Sequence, residues 1–152
     1  DPLWSRGLGD VYKRQPLEYK SFWKWVTNRQ EGINYYVKVN QTTGKAELVK
    51  LKKAMKYSRS EYLFRDTMRH LRFQYPMTIF ADPSFEVDDD GNPYYVATTY
   101  APKFGLSSQD PTGVILLDAV SGKSTFYDLK SSSSFKVVSS FDMYYRTICL
   151  TI

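Results

Sequence analysis

A chain of 152 residues carrying a formal net charge of +5 is long enough for one domain, or for two small tandem units around a shared core. Hydrophobic content of 42% and aromatic content of 16% exclude a disordered chain. A single cysteine, Cys149, excludes an internal disulfide framework and any multi-cysteine metal site.

The 13 tyrosines and 9 phenylalanines favour sheet, because flat aromatic side chains pack well on a pleated surface. The basic excess permits an anionic partner. However, 16 acidic residues are scattered among the 21 basic ones, so charge alone selects none.

The chain begins with a segment set aside before the fold is read. Asp10-Val-Tyr-Lys-Arg-Gln15 back-translates naturally to GAT GTG TAT AAG AGA CAG and resembles the mosaic end of a transposase-based sequencing adaptor. Residues 1–15 are therefore expected to be adaptor-derived, with the natural chain starting near Pro16. Leu17 to Val26 fits a strand or the tail of a helix, and Gly32 suits a positive φ in the polar break after it. Ile33 to Asn40 reads as a strand with Tyr35, Val37 and Val39 on one face, and Ala46 to Leu51 as its hairpin partner.

That hairpin recurs. Val37 to Leu51 and Ile115 to Leu129 align without a gap, matching Asn40 with Asp118, Thr43 with Ser121, Gly44 with Gly122 and Lys45 with Lys123. Each copy predicts a strand, a turn on glycine and a returning strand. Between them, Lys50, Lys52, Lys53 and Lys56 form the densest basic run, expected to be a solvated strand end.

Ser58 and Glu61 have capping-box spacing and predict a helix from about Arg59 to Phe73. Phe64, Met68, Leu71 and Tyr75 would form its apolar stripe and Arg65, Arg69 and Arg72 a neighbouring basic one, with Pro76 as the stop. A short strand is expected within Met77 to Ala81. Two more are expected at Ser84 to Asp88 and Pro93 to Tyr100, around a turn on Gly91. Tyr94, Val96, Thr98 and Tyr100 alternate with Tyr95, Ala97 and Thr99, so one face should be buried. Ala101 to Thr112 is a loop long enough to hold a site, and it contributes Lys103 and Phe104 as candidate contacts. Gly113 to Asp118 reads as a central strand covered on both faces. Residues 131–152 remain an unassigned tail.

The chemistry-bearing motifs are sparse. The sole histidine, His70, stands four residues after Asp66, a spacing that permits a proton-transfer pair. On a basic helix it more often makes a local hydrogen bond. Asp88 to Asn92 fails as a calcium loop, because aligning Gly91 to the invariant glycine puts Ala97 where a bidentate glutamate is required. Tyr94, Tyr95, Tyr100 and Arg72 could stack unpaired bases, although no aromatic RNA-binding signature accompanies them. No catalytic, cofactor-binding or metal-binding residue is assigned.

The helix, meander and final apolar strand, with Asp118-Ala-Val-Ser-Gly-Lys123 and a returning strand, resemble a PepSY-type domain. The resemblance covers Ser58 to Leu129 and departs from the pattern in the long Pro/Gly loop. It implies an α+β fold in which antiparallel hairpins carry one main amphipathic helix. It divides the chain into a first, truncated unit at 16–57 and a second at 58–130. Val37 to Leu51 is then the closing hairpin of the first unit.

Arg69-His-Leu-Arg-Phe-Gln-Tyr-Pro76 is also similar to segments of poorly characterised Gram-positive membrane-anchored proteins. The resemblance implies a non-catalytic binding or regulatory module on the extracytoplasmic face of the cell membrane. Its partner would be a protein or a cell-wall component, and a membrane segment would lie outside this chain. Arg65, Arg69, Arg72, Lys103 and Phe104 are the candidate contacts. A basic, aromatic nucleic-acid binder and an enzyme using Asp66 and His70 are the rival readings.

Overall fold

The structure, a computed structural model, describes residues 12–41, 43–88, 90–101 and 111–128. Two antiparallel sheets carry two short helices, which is the α+β architecture expected. The first sheet has the order β1-β2-β3, formed by β1 (Tyr12–Pro16), β2 (Ile33–Asn40) and β3 (Ala46–Met55). The second has the order β4-β6-β7-β8, with β5 also paired to β6. Its strands are β4 (Ile79–Phe80), β5 (Ser84–Val87), β6 (Pro93–Tyr100), β7 (Pro111–Asp118) and β8 (Ser124–Asp128).

Helix α1 (Phe22–Asn28) settles the choice left open for Leu17 to Val26. Ser21 is its N-cap, in extended conformation, with its hydroxyl oxygen accepting from the Lys24 amide. The helix buries Trp25 and leaves Trp23 in solvent. Strand β1, which no sequence pattern had indicated, crosses the Gln15/Pro16 boundary and pairs Gln15 with Val37.

The largest correction concerns the helix after Ser58. It runs from Thr67 to Gln74 (α2), preceded by a single 3-10 turn at Leu63–Arg65, and not from Arg59. The capping box does not form, because Ser58 and Glu61 are both buried in tertiary contacts. The Thr67 amide donates to the Ser58 carbonyl, closing the 58–66 segment on itself, and Glu61 accepts from the indole Nε1–H of Trp25. Asp66 is the true N-cap: its Oδ1 accepts from the Arg69 amide at 2.7 Å. The apolar stripe consequently begins at Met68. Leu71 is fully buried and Tyr75 half-buried, whereas Phe64 on the 3-10 turn is 74% exposed.

One core joins the sheets. Ile33, Tyr36, Leu51 and Met55 from the first meet Phe85, Tyr95, Ala97, Ile115 and Leu117 from the second, with Leu71 from α2. The alternation predicted for β6 holds in part: Tyr95, Ala97 and Thr99 are buried on one face, while on the other Tyr94, Thr98 and Tyr100 are half-buried and Val96 is buried as well. Strand β7 lies between β6 and β8 as a central strand, with Val114 and Ile115 buried on opposite faces. At roughly 1.5–3 kcal/mol for each fully buried aliphatic side chain, Leu71, Ile115 and Leu117 hold α2 onto the sheet.

The repeated turn is conserved in geometry between its two copies. The Asn40 amide donates to the Lys45 carbonyl at 2.9 Å and that of Gly44 to Asn40 at 2.8 Å; Asp118, Lys123 and Gly122 repeat both bonds at the same lengths. Asn40 Oδ1 accepts from the Thr43 amide, and Asp118 Oδ1 from that of Val120. Gly44 and Gly122 have φ of 68° and 75°, the left-handed region that glycine enters without penalty. Gly91 turns the β5–β6 hairpin at a φ of 80°.

Candidate partner-binding surface

Helix α2 has two unlike sides. Thr67 and Leu71 face the core, while Arg69, Arg72 and Phe73 are exposed. Phe73 lies two positions beyond Leu71, about 200° around the helix, so an inward Leu71 forces it outward. The chain leaves the helix through Tyr75 and Pro76, and Met77 follows at 94% exposure, with Phe73 at 70%.

Beyond this end lies a groove of about 450 Å³, lined by Met77, Ile79, Tyr100 and Phe126 over a floor of Thr99 and Thr112. The two threonine hydroxyls satisfy each other at 3.0 Å, and Tyr75 and Thr78 complete a lining that is more apolar than polar. Arg72 is held against the lining at Thr78. Its Nη1 donates to the Thr78 carbonyl at 3.4 Å, and its guanidinium lies 4.4 Å from the Phe80 ring centroid.

The three expected arginines do not form one helical stripe. Arg65 sits on the 3-10 turn, where Nη1 donates to the Arg29 carbonyl at 2.6 Å, at the C-terminal end of α1. Only Arg69 and Arg72 share the exposed side of α2, and of these Arg72 borders the groove. Lys103 and Phe104 lie outside the described residues.

The Asp66–His70 pair is divided between two structural tasks. Asp66 spends its carboxylate on the helix cap, and His70 Nε2 faces the Gly122 carbonyl at 2.8 Å, with its ring 4.9 Å from that of Tyr57. Among the proposed base-stacking residues, Tyr95 is 1% exposed in the core, on the opposite face of β6 from Tyr94 and Tyr100. Those side chains therefore cannot form one platform. The Asp88 carboxylate accepts from the backbone and side-chain amides of Asn92. Among the described residues no cluster of three or more His, Cys, Asp or Glu is placed to hold a metal ion.

Two acidic groups are electrostatically unusual. Burial pushes the Glu61 carboxyl above the ordinary glutamate range, offset in part by the Trp25 hydrogen bond and by Arg65. Burial raises Glu86 as well, against the opposing pull of Arg14, whose Nη1 lies 3.1 Å from Oε2. Both groups tie elements together. Glu61 joins α1 to the 58–66 segment, and Glu86 joins β1 to β5.

Sequence reasoning missed Phe73, Met77, Ile79 and Phe126 as surface residues. The signal for Phe73 was present in its angular distance from the Met68–Leu71–Tyr75 stripe. Ile79 and Phe126 sit on strands whose exposed positions only the sheet order decides. Among the described residues no helix is long and apolar enough to cross a membrane. Comparison with family profiles, with curated proteins and with solved structures returns no match, so the reading of this surface rests on its own geometry.

Proposed function

We propose that this chain is a non-catalytic binding or regulatory module, and that the groove at the end of α2 takes apolar side chains of a protein partner. One observation carries the reading: Met77, Ile79 and Phe126 stay exposed in the lining of one groove, with Phe73 exposed on the adjoining helix and Arg72 bonded to the Thr78 carbonyl of that lining. Clustered exposed apolar residues beside a polar rim mark interaction sites, whereas singly scattered ones do not. Arg72 is already anchored by Thr78 and Phe80, so little side-chain entropy remains to be lost on contact.

A PepSY-like assignment is consistent with this reading. It is supported by one amphipathic helix packed across an antiparallel sheet, whose last hairpin turns on Asp118-Ala-Val-Ser-Gly-Lys123. On that assignment the module works at the extracytoplasmic face of a bacterial cell, against an envelope protein or wall component.

The test places a photo-crosslinking amino acid at Met77 in a Gram-positive host, with a second at the exposed Glu47 as control. A discrete adduct at Met77 that Ile79→Glu abolishes supports the groove. Adducts equal at both positions, or unaffected by Ile79→Glu, would reject it.

A further inference from the structure

The two copies of the hairpin match in cross-strand pairing as well as in their turns. Val37 opposes Leu48 and Val39 opposes Ala46 in the first; Ile115 opposes Phe126 and Leu117 opposes Ser124 in the second. Cross-strand partners share a face, so these two sets of four residues occupy the same face of the same unit.

In the second copy that face carries α2. Ile115 and Leu117 are fully buried in one cluster with Leu71, and Met68 and Tyr75 pack against it. Ser124 donates to Gln74 and to the Tyr75 hydroxyl, and His70 reaches the Gly122 carbonyl. In the first copy the equivalent face is open among the described residues. Val37 and Val39 are half-exposed, Ala46 is exposed, and Leu48 is 63% exposed. Tyr35, paired with Lys50, extends the apolar strip. Among the described residues, no atom lies within 4 Å of where a Cβ on Gly44 would stand, whereas a Cβ on Gly122 would strike the Tyr57 ring.

Among the described residues, the charge on this face of the sheet has one sign. Lys50 on β3 opposes Tyr35, so an exposed lysine stands toward the β3 edge of the strip. Lys45 adds a second at the turn. None of the residues on this face of the sheet is acidic.

We propose that the open face of β2–β3, centred on Val37, Val39 and Leu48, receives an amphipathic helix of a partner protein whose apolar stripe is flanked by acidic residues. The occupied twin supplies the template. Apolar residues spaced as Met68, Leu71 and Tyr75 rest on the strip, and a donor at the His70 position reaches the Gly44 carbonyl. A second copy's α2 is a poor occupant, because it already holds its own sheet and Arg69 and Arg72 would meet the lysine rim. This face is distinct from the groove at Met77, so variants at the two places separate the two readings.

The test measures fluorescence anisotropy of a labelled, hydrocarbon-stapled helical peptide that copies residues 66–76 with Arg69→Glu and Arg72→Glu, titrated with the whole chain. Saturable binding is expected, weakened roughly tenfold or more by Leu48→Glu, which would set a charge against the apolar stripe. Binding should also weaken at high salt and in a peptide retaining the arginines, and Met77→Glu should leave it unchanged. Leu48 is exposed, so Leu48→Glu should fold with an unaltered far-ultraviolet spectrum. Absence of saturation, or equal binding to Leu48→Glu, overturns the proposal. So does a dimer of the protein alone, seen by light scattering, that Leu48→Glu dissociates, since the occupant is then a second copy.

Discussion

Nε2 of His70 lies 2.8 Å from the carbonyl oxygen of Gly122, joining α2 to the β7–β8 turn across 52 residues of sequence. The Gln74 amide nitrogen lies 3.1 Å from the same Nε2, so the two contacts call for different tautomers: the Gly122 carbonyl accepts from a protonated Nε2, and the amide donates to a bare one. The Tyr57 ring packs on the imidazole from one side and over the glycine, making the turn a seat for the helix. Removing the imidazole with His70→Ala deletes its polar contacts with Gly122 and Gln74 and one ring contact, at a combined cost of about 1–2 kcal/mol. Urea denaturation should show a lower midpoint with unchanged slope. An unchanged midpoint would mean that α2 is held by Leu71 alone.

The twin glycines provide an internal control. Alanine at Gly44 meets only the left-handed backbone penalty, about 1–2 kcal/mol. Alanine at Gly122 meets the same penalty and also displaces the Tyr57 ring, adding about 1–3 kcal/mol of overpacking. Thermal or chemical denaturation should rank Gly122→Ala well below Gly44→Ala. Equal losses would show that Tyr57 swings away at no cost.

The repeat was legible in the sequence because its residues act locally: Asn40 and Asp118 cap their own turns, and Gly44 and Gly122 supply the φ that those turns require. The β6 alternation was legible for the same reason, since period two leaves only one way to bury Tyr95, Ala97 and Thr99 together. The helix start was not legible. Ser58 and Glu61 have the right spacing, but partners distant in sequence claim them, Trp25 for Glu61 above all. Strand β1 was hidden too, because its Lys-Arg-Gln run has no strand pattern of its own and is ordered by β2 and Glu86. Of the surface, arginine spacing correctly placed Arg69 and Arg72 and misplaced Arg65, whose backbone is not part of α2.

The correction at the helix start is testable by exchanging cap residues. Asp66→Ala should cost about 1 kcal/mol, while Asp66→Ser, an equally good cap, should cost little. Ser58→Asp would be harmless if Ser58 capped a helix. At 1% exposure it instead puts a carboxylate into the core, and a loss of several kcal/mol is expected. A tolerated Ser58→Asp would restore the capping box.

Glu61 gives stability a dependence on pH whose sign follows from burial. Its folded carboxyl titrates above the ordinary glutamate value, so the fold favours the protonated form. Below the unfolded value both states are protonated and there is no penalty. As pH rises the penalty grows, and it is complete above the raised folded value. Glu61→Gln retains an acceptor for the Trp25 indole and removes the titration. Its stability relative to the parent should therefore increase with pH across that window and level off above it. Denaturation curves at a series of pH values would show this, and a difference independent of pH would mean that Glu61 stays charged in both states at little cost.

Arg14 and Glu86 test whether β1 is held by charge or by its ladder alone. Glu86 is almost wholly buried on β5 and Arg14 about one-third exposed on β1, so the carboxylate depends on a guanidinium that water only partly screens. Removing one partner of a wholly buried pair costs about 3–5 kcal/mol; the exposure of Arg14 reduces the expectation for Arg14→Gln to about 2 kcal/mol at neutral pH. With its counter-charge gone, the Glu86 carboxyl should be raised further, because burial is left unopposed. The cost of Arg14→Gln should thus be complete above that raised value and disappear as pH falls below the ordinary glutamate range, where Glu86 is neutral in both states. Adding Glu86→Gln should recover most of the loss, and a double-mutant cycle at neutral pH isolates the pair from the other contacts of β1. A cost that persists unchanged in acid, and that Glu86→Gln does not relieve, would place the hold on β1 in its pairing with Tyr36 to Asn40 and not in the ion pair.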